Sequence, residues 1–367
     1  VLAGYNKKLK LNTVYIDDII SRKKKKKLSP KLIEELTLPK TYGNRQKKKP
    51  MKFNAIVSNP PYMIKDGGAG ASATPVYNHF VDCAKKLSPG YISIIMPAKW
   101  YNDGKGLAKF RTDMLTDRHI EKLVDFVDEH VCFPGVDVAG GVCYFLWDKN
   151  HDGDCQYSNI FNGQRLTINR NLAEGERFIR YVQAIDMLDK VKAEKYYSSI
   201  VSSRKPFGLA TDVTPLVTGD IILETSQGKG PYDSELITVG KEMIYKWKVC
   251  ISYLTAEHAG QTDNEGRKRI ISSLHILEPG EICTETYLVV DAFDTEEEAQ
   301  ALRKYLCTRF ARFLISLLAA TQHLSKDKFS YVPVQDFASN DDIDWRQPVN
   351  AIDRQLYQKY GFDDNDV

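Results

Sequence analysis

Between residues 53 and 148 short apolar runs alternate with stretches of helical periodicity. That alternation narrows the fold more than any other feature of the chain. Phe53-Asn54-Ala55-Ile56-Val57-Ser58 reads as a buried strand, and it stops at Asn59-Pro60-Pro61-Tyr62. Two prolines cannot donate to a sheet ladder, so the strand has to end there. Tyr77, Phe80, Val81, Ala84 and Leu87 then recur at helical spacing, and Ser88-Pro89-Gly90 breaks the helix. Tyr91 to Met96 is a strand, Leu107 to Leu115 a helix, and Ile120 to Val127 and Gly141 to Trp147 two further strands. Upstream, Val14-Tyr15-Ile16 reads as a short strand running into Asp17-Asp18, and residues 66–73 read as a flexible loop. Strands alternating with helices predict a doubly wound α/β sheet. The last two strands have no helix between them, which predicts an antiparallel edge.

Past Phe161 the alternation fades. Residues 164–203 are mixed and polar and read as a linker. Residues 204–340 offer scattered strand candidates, at Ile221 to Leu223, Trp247 to Tyr253 and Tyr287 to Val290. One long helix follows: Thr295 and Glu298 form a capping box, and Ala299, Leu302, Leu306, Phe310, Phe313, Leu314 and Leu317 form one apolar stripe. The expected organisation is a first domain over 1–163, a linker over 164–203, a second domain over 204–340 and a tail over 341–367.

The chain has 367 residues, with 51 Lys and Arg against 48 Asp and Glu. The near balance hides an asymmetry. Residues 1–52 hold 16 basic and 4 acidic residues, leaving 35 and 44 for the rest. The basic runs, Arg22 to Lys27 and Lys47 to Lys49, lie in a Pro-punctuated insertion over 21–52. Such runs are usually solvated loops; the functional alternative is attraction of a polyanion. The seven cysteines are scattered, with no CxxC pair, so neither a zinc site nor a disulfide framework is expected. No stretch is apolar over a bilayer's width, and no signal peptide is read at the start, so the cytoplasm is the expected compartment.

Asn59-Pro60-Pro61-Tyr62 carries the chemistry. Its bland reading is a Pro-rich turn, but it falls at the carboxyl end of a central strand, where open α/β sheets bind ligands. With this motif the chain resembles the amino-methyltransferases of DNA bases. More narrowly, it resembles the gamma-class adenine-specific enzymes of bacterial restriction–modification systems. The resemblance is strongest over 53–148. It implies a Rossmann-like S-adenosylmethionine-dependent methyltransferase sheet followed by an α+β target-recognition domain.

The resemblance also assigns roles. The adenine amine is conjugated to its ring and is a poor nucleophile. The Asn59 side-chain oxygen and the Pro60 carbonyl would accept its hydrogens, with Pro61 helping to fix the backbone. Tyr62 would stack on a base flipped from the duplex, and Phe133, in the loop between the last two strands, would offer a second face. Asp18 and Phe80 correspond to cofactor contacts, with Asp17 as an alternative to Asp18. Met96-Pro97-Ala98-Lys99-Trp100 corresponds to a strand-end segment expected to line the target pocket, with Lys99 a candidate DNA contact. Arg204, Lys205, Lys246 and Lys248, and more loosely Arg267, Lys268 and Arg269, are candidate DNA contacts. No metal is expected.

One departure is large. The family's Gly-rich cofactor loop is not found in the 17 residues before Asp18. The chain is therefore expected to be an N-terminally truncated piece, weak in cofactor binding by itself and bare along one edge of the Phe53 to Ser58 strand. An upstream nuclease or motor region, or a second chain completing the cofactor site, are the expected partners beside double-stranded DNA. The rival readings are a methyltransferase of cytosine or of a protein glutamine, and a non-catalytic DNA-recognition fragment.

Overall fold

The computed structural model describes residues 53–64, 74–101, 106–138, 140–175, 177–254, 269–319, 323–339 and 341–363. The Lys-rich insertion, Asp17, Asp18, the glycine-rich stretch 66–73, Arg267 and Lys268 lie outside the described residues. The chain divides into two compact units, Val1–Phe178 and Ile179–Val367.

The first unit is built on one six-stranded sheet. Its strands are β1 (Ala55–Ser58), β4 (Tyr91–Pro97), β5 (Ile120–Phe126), β6 (Val142–Asp148), β7 (Cys155–Phe161) and β8 (Gln164–Arg170), in the order β1-β4-β6-β5-β7-β8. A short ribbon of β2 (Met63–Ile64) and β3 (Thr74–Pro75) follows β1. Helix α1 (Tyr77–Lys86) connects to β4, and α2 (Ala108–Leu115) leads on to β5. β1 and β4 are parallel, while β6 runs antiparallel to both β4 and β5.

The antiparallel pair expected from sequence is present, but it is not an edge. β6 is inserted between β4 and β5, and the sheet continues through β7, parallel to β5, and β8. β7 and β8 form a hairpin whose two-residue turn, Asn162-Gly163, has φ of 50° and 74°. Asn-Gly is a favoured pair for a tight turn of this hand. β8 thus places residues 164–170, read as linker, inside the first unit's sheet. At the other end, β1 pairs only with β4 among the described residues, and Val57 on it is 82% exposed.

The second unit holds two small sheets. One has β9 (Ile221–Thr225) between β10 (Gly228–Tyr232) and β13 (Glu281–Cys283); the other has β11 (Trp247–Ser252) between β12 (Leu274–Leu277) and β14 (Tyr287–Phe293). Its helices are α3 (Gln183–Lys190), α4 (Glu296–Cys307), α5 (Arg309–Ser316) and α6 (Val349–Tyr360). α4 begins as expected, with Thr295 accepting from the Glu298 amide.

The single long helix predicted after Thr295 is two. The apolar stripe is continuous, but Thr308 is extended at φ −65°, ψ 153° and caps α5 by accepting from the Ala311 amide. The carboxylate of Asp353, on α6, accepts from the Arg309 and Phe310 amides at 2.9 and 3.0 Å. Those partners satisfy donors that a fresh helix start exposes, so a break that would otherwise be costly is stabilised. Residues 341–367, read as a tail, contain α6, whose Ile352 and Leu356 are fully buried in the unit's core.

Candidate active site at the carboxyl rim of the sheet

Strand direction gathers the sequence motifs. β1, β4 and β5 are co-directional and β6 opposes them, so the ends of β1, β4 and β5 and the start of β6 share one rim. At its outer register Pro97 faces Val142, and Phe126 faces the same Val142. Three segments emerge there: residues 59–62, residues 98–101 and the loop 127–141.

Asn59 and Pro61 are exposed, Pro60 is buried and Tyr62 is half-buried. The Tyr62 carbonyl accepts from the Val76 amide at 3.1 Å, tying the motif to the start of α1. Burial, then the nearby Cys143 and Cys132, pushes the Tyr62 phenol up to about 12. The phenol thus lies near both the β6 start and Cys132 of the 127–141 loop. The Tyr77 hydroxyl is buried beside Cys143, and its pKa is raised, chiefly by burial. The Tyr62 and Tyr77 hydroxyls and Asn78 Oδ1 have no hydrogen-bond partner among the described residues. Buried polar atoms are rarely left so, and the two hydroxyls, both near Cys143 at the start of β6, are the ones a ligand at the rim could reach.

The loop is rigidly tied. Glu129, 6% exposed, uses Oε1 to accept from the Val138 amide at 3.1 Å and its carbonyl to accept from the Phe133 amide at 2.8 Å. One residue thereby holds both arms of the loop that presents Phe133. His130 links Asp128 and Asp137 at 3.0 and 3.3 Å across the same loop. The hydrogen bond to Asp128 raises its pKa. Asp128, Glu129 and His130 place ligand-type atoms within 4.8 Å, but Glu129 Oε1 is engaged by the loop's own backbone. Phe133 is half-buried and makes no ring contact among the described residues. Glu129 has no counterpart in the sequence reading; its only signal is an acidic residue just past a strand end.

Lys99 is half-buried at the rim. Gly140 lies against its stem: a Cβ there would sit 2.8 Å from Lys99 Cγ, and φ is +93°. Trp100, the last residue of that strand-end segment, is packed inside. It is fully buried, stands edge-on to Phe110 at 5.8 Å, and directs Nε1 to Cys143 Sγ at 3.4 Å. Phe80 is half-buried on α1, among neighbours Tyr77, Val81 and Ala84 that are buried.

The DNA-contact candidates of the second unit separate by environment. Lys248 is a correction. It is fully buried and donates to the carbonyls of Ile244, Lys246 and Glu278 at 2.8, 2.6 and 3.0 Å, so it is unavailable to a phosphate. Lys246 pairs with Asp294 at 3.1 Å. Arg204 pairs with Glu285 at 2.9 Å, Lys205 lies 3.9 Å from the same carboxylate, and Arg269 is exposed.

Known proteins resemble the chain chiefly through its first part. Residues 2–133 match the family described as Eco57I restriction-modification methylase. A protein of Mycoplasma pneumoniae (strain ATCC 29342 / M129 / Subtype 1), described as "Uncharacterized adenine-specific methylase", is 35% identical over 115 residues. That match covers 30% of this chain and 27% of the relative. Among solved structures, the type IIG restriction endonuclease BpuSI is similar at 12% identity, with a TM-score of 0.36 over 83% of this chain and 49% of that one. The type IIL restriction-modification enzyme MmeI, solved with DNA, is similar at 10% identity, with a TM-score of 0.43 over 84% and 54%. The chain thus has a sequence relationship to adenine-specific methylases of restriction–modification systems, spanning about a quarter of the curated relative. No helix among the described residues is long and apolar enough to cross a membrane.

Proposed function

We propose that the protein takes part in methylating the exocyclic amine of adenine in double-stranded DNA, as a component of a restriction–modification system. The observation that carries this reading is the place of Asn59-Pro60-Pro61-Tyr62: at the carboxyl end of β1, beside a braced loop that presents Phe133. The match of residues 2–133 to a restriction-modification methylase family supports it independently.

In this reading S-adenosylmethionine supplies an electrophilic methyl group. The described residues fit the target side of that reaction. Asn59 Oδ1 and the Pro60 carbonyl accept the two hydrogens of the amine, drawing electron density onto nitrogen. Neither group needs to act as a strong base. The acceleration comes from orientation and from acceptors fixed before the base arrives. Tyr62 and Phe133 provide aromatic faces for a base turned out of the helix. Asp18 and Phe80 are assigned to the cofactor. The second unit serves as the target-recognition module.

Radiolabelled methyl transfer to duplex DNA tests the reading. Asn59→Ala in the intact protein is expected to lower the rate by roughly a thousandfold or more while DNA binding persists. Full activity in that variant removes Asn59 from the mechanism. Labelling of protein instead of DNA points to the glutamine-methylating reading.

A further inference from the structure

Arg204 combines features that a solvated surface arginine does not show together. Its Nε lies 2.9 Å from Glu285 Oε2, and its guanidinium carbon sits 5.1 Å from the centre of the Tyr253 ring. Glu285 is itself held: its Oε1 accepts from the Thr211 amide and hydroxyl at 3.2 and 3.0 Å, and its side chain is 9% exposed. Burial raises the Glu285 pKa, but the Thr211 bonds and then the Arg204 and Lys205 charges more than offset this, so the carboxyl stays ionised. Tyr253 is fixed from two sides. Its amide donates to the Thr286 carbonyl at 2.9 Å, its carbonyl accepts from Leu324 at 2.9 Å, and its ring stacks on His323 at 4.9 Å and 14°. The next residue, Lys205, has φ +68°, a left-handed conformation that few non-glycine residues adopt.

The guanidinium is thus held through Nε at one side and laid over a ring, while its two terminal nitrogens make no hydrogen bond to a described residue. The Arg204 side chain remains 57% exposed. Two uses of an arginine at a DNA surface can be told apart on these terms. A phosphate contact depends on net charge and tolerates a flexible stem. Here Glu285 answers only one of the two neighbouring charges, Arg204 and Lys205, so charge alone does not separate the two uses; what does is that the ion pair and the ring hold the guanidinium in one place. A base edge needs such a held, planar fork with its terminal donors unspent.

Resting on the proposal that the second unit meets DNA, we infer that Arg204 is a specificity-determining residue. It reads a pair of acceptors on one base edge in the major groove, guanine by the chemistry of its O6 and N7, and Glu285 and Tyr253 act as its positioning residues.

The test is enrichment from a randomised duplex library, at fixed salt, by the full chain and by Arg204→Lys, Arg204→Ala and Glu285→Gln. The wild type should select a motif. Arg204→Lys and Arg204→Ala should lose preference at one base pair by roughly 10- to 100-fold, with the other positions kept. Glu285→Gln should relax that same position, because the donors remain but their aim is lost. Melting curves for each variant identify any loss caused by unfolding, and the exposed Arg204→Lys change serves as the variant expected to fold. An unchanged motif with a uniform drop in affinity and a salt slope lower by about one makes Arg204 a phosphate contact and overturns the inference. A wild type that binds duplex DNA but selects no motif also overturns it. A wild type that binds no DNA at all removes the parent reading as well, so the two failures are distinguishable.

Discussion

Replacing Lys248 tests the boundary between surface and core in the second unit. The side chain is fully buried and its ammonium donates to three backbone carbonyls. Burial pushes its pKa from 10.5 down to about 8, against the opposing pull of Cys250, Glu281 and Cys283. Keeping that charge inside at neutral pH costs about 3 kcal/mol. Lys248→Met keeps the stem and recovers this cost, but leaves three buried carbonyls short of a donor at about 1–3 kcal/mol each. The deficit wins by about 2 kcal/mol, so the unit's melting temperature should fall by roughly 4–8 °C at pH 7. The pH dependence has a definite sign. The folded pKa lies below the unfolded one, so between about pH 8 and 10.5 the unfolded chain binds more protons at this position. Wild-type stability relative to the Met variant should therefore rise with pH across that window and stay level below it. Differential scanning calorimetry of both proteins from pH 7 to 10.5, with DNA affinity measured alongside, reads all three quantities. An unchanged melting temperature accompanied by weaker DNA binding would refute the buried assignment and restore Lys248 as a phosphate contact.

Three further outcomes are expected. Phe133→Ala should weaken capture of a flipped base by about 1–3 kcal/mol, seen with a fluorescent base analogue, and Phe133→Trp should be tolerated better; early melting with normal capture would instead make Phe133 a packing residue. Asp353→Ala strips the acceptors from the Arg309 and Phe310 amides and should cost about 2–4 kcal/mol in urea unfolding, whereas a cost near zero would mean that Thr308 caps α5 unaided. Neutralising Lys23 to Lys27 should lower the salt slope of DNA binding without changing target choice, and an unchanged slope would leave that run as a solvated loop.

Much of the first unit is legible from local pattern. The strands at Ala55–Ser58, Tyr91–Pro97, Ile120–Phe126 and Val142–Asp148 fall where apolar runs predict them, because burying a strand requires contiguous apolar residues. The halt after Ser58 is equally local, since it follows from two residues without an amide hydrogen. The hairpin of β7 and β8 is less legible: Asn162-Gly163 marks the turn, but β7 buries the polar Ser158 and Asn159, which breaks the apolar alternation of a strand.

Other features depend on partners distant in sequence. Nothing in the continuous stripe from Ala299 to Leu317 shows a break at Thr308; the acceptor that makes a second helix start favourable, Asp353, lies more than forty residues away. Lys248 and Arg204 differ locally, since Lys248 lies within the apolar strand candidate Trp247 to Tyr253 and Arg204 in a polar stretch, but only the fold places one among three carbonyls and the other beside a held carboxylate and an aromatic ring. At the rim, sequence marked Asn59, Tyr62 and Phe133 one by one. It took the insertion of β6 between β4 and β5 to bring their segments to one edge, because strand order is decided by which apolar faces pair and not by position along the chain.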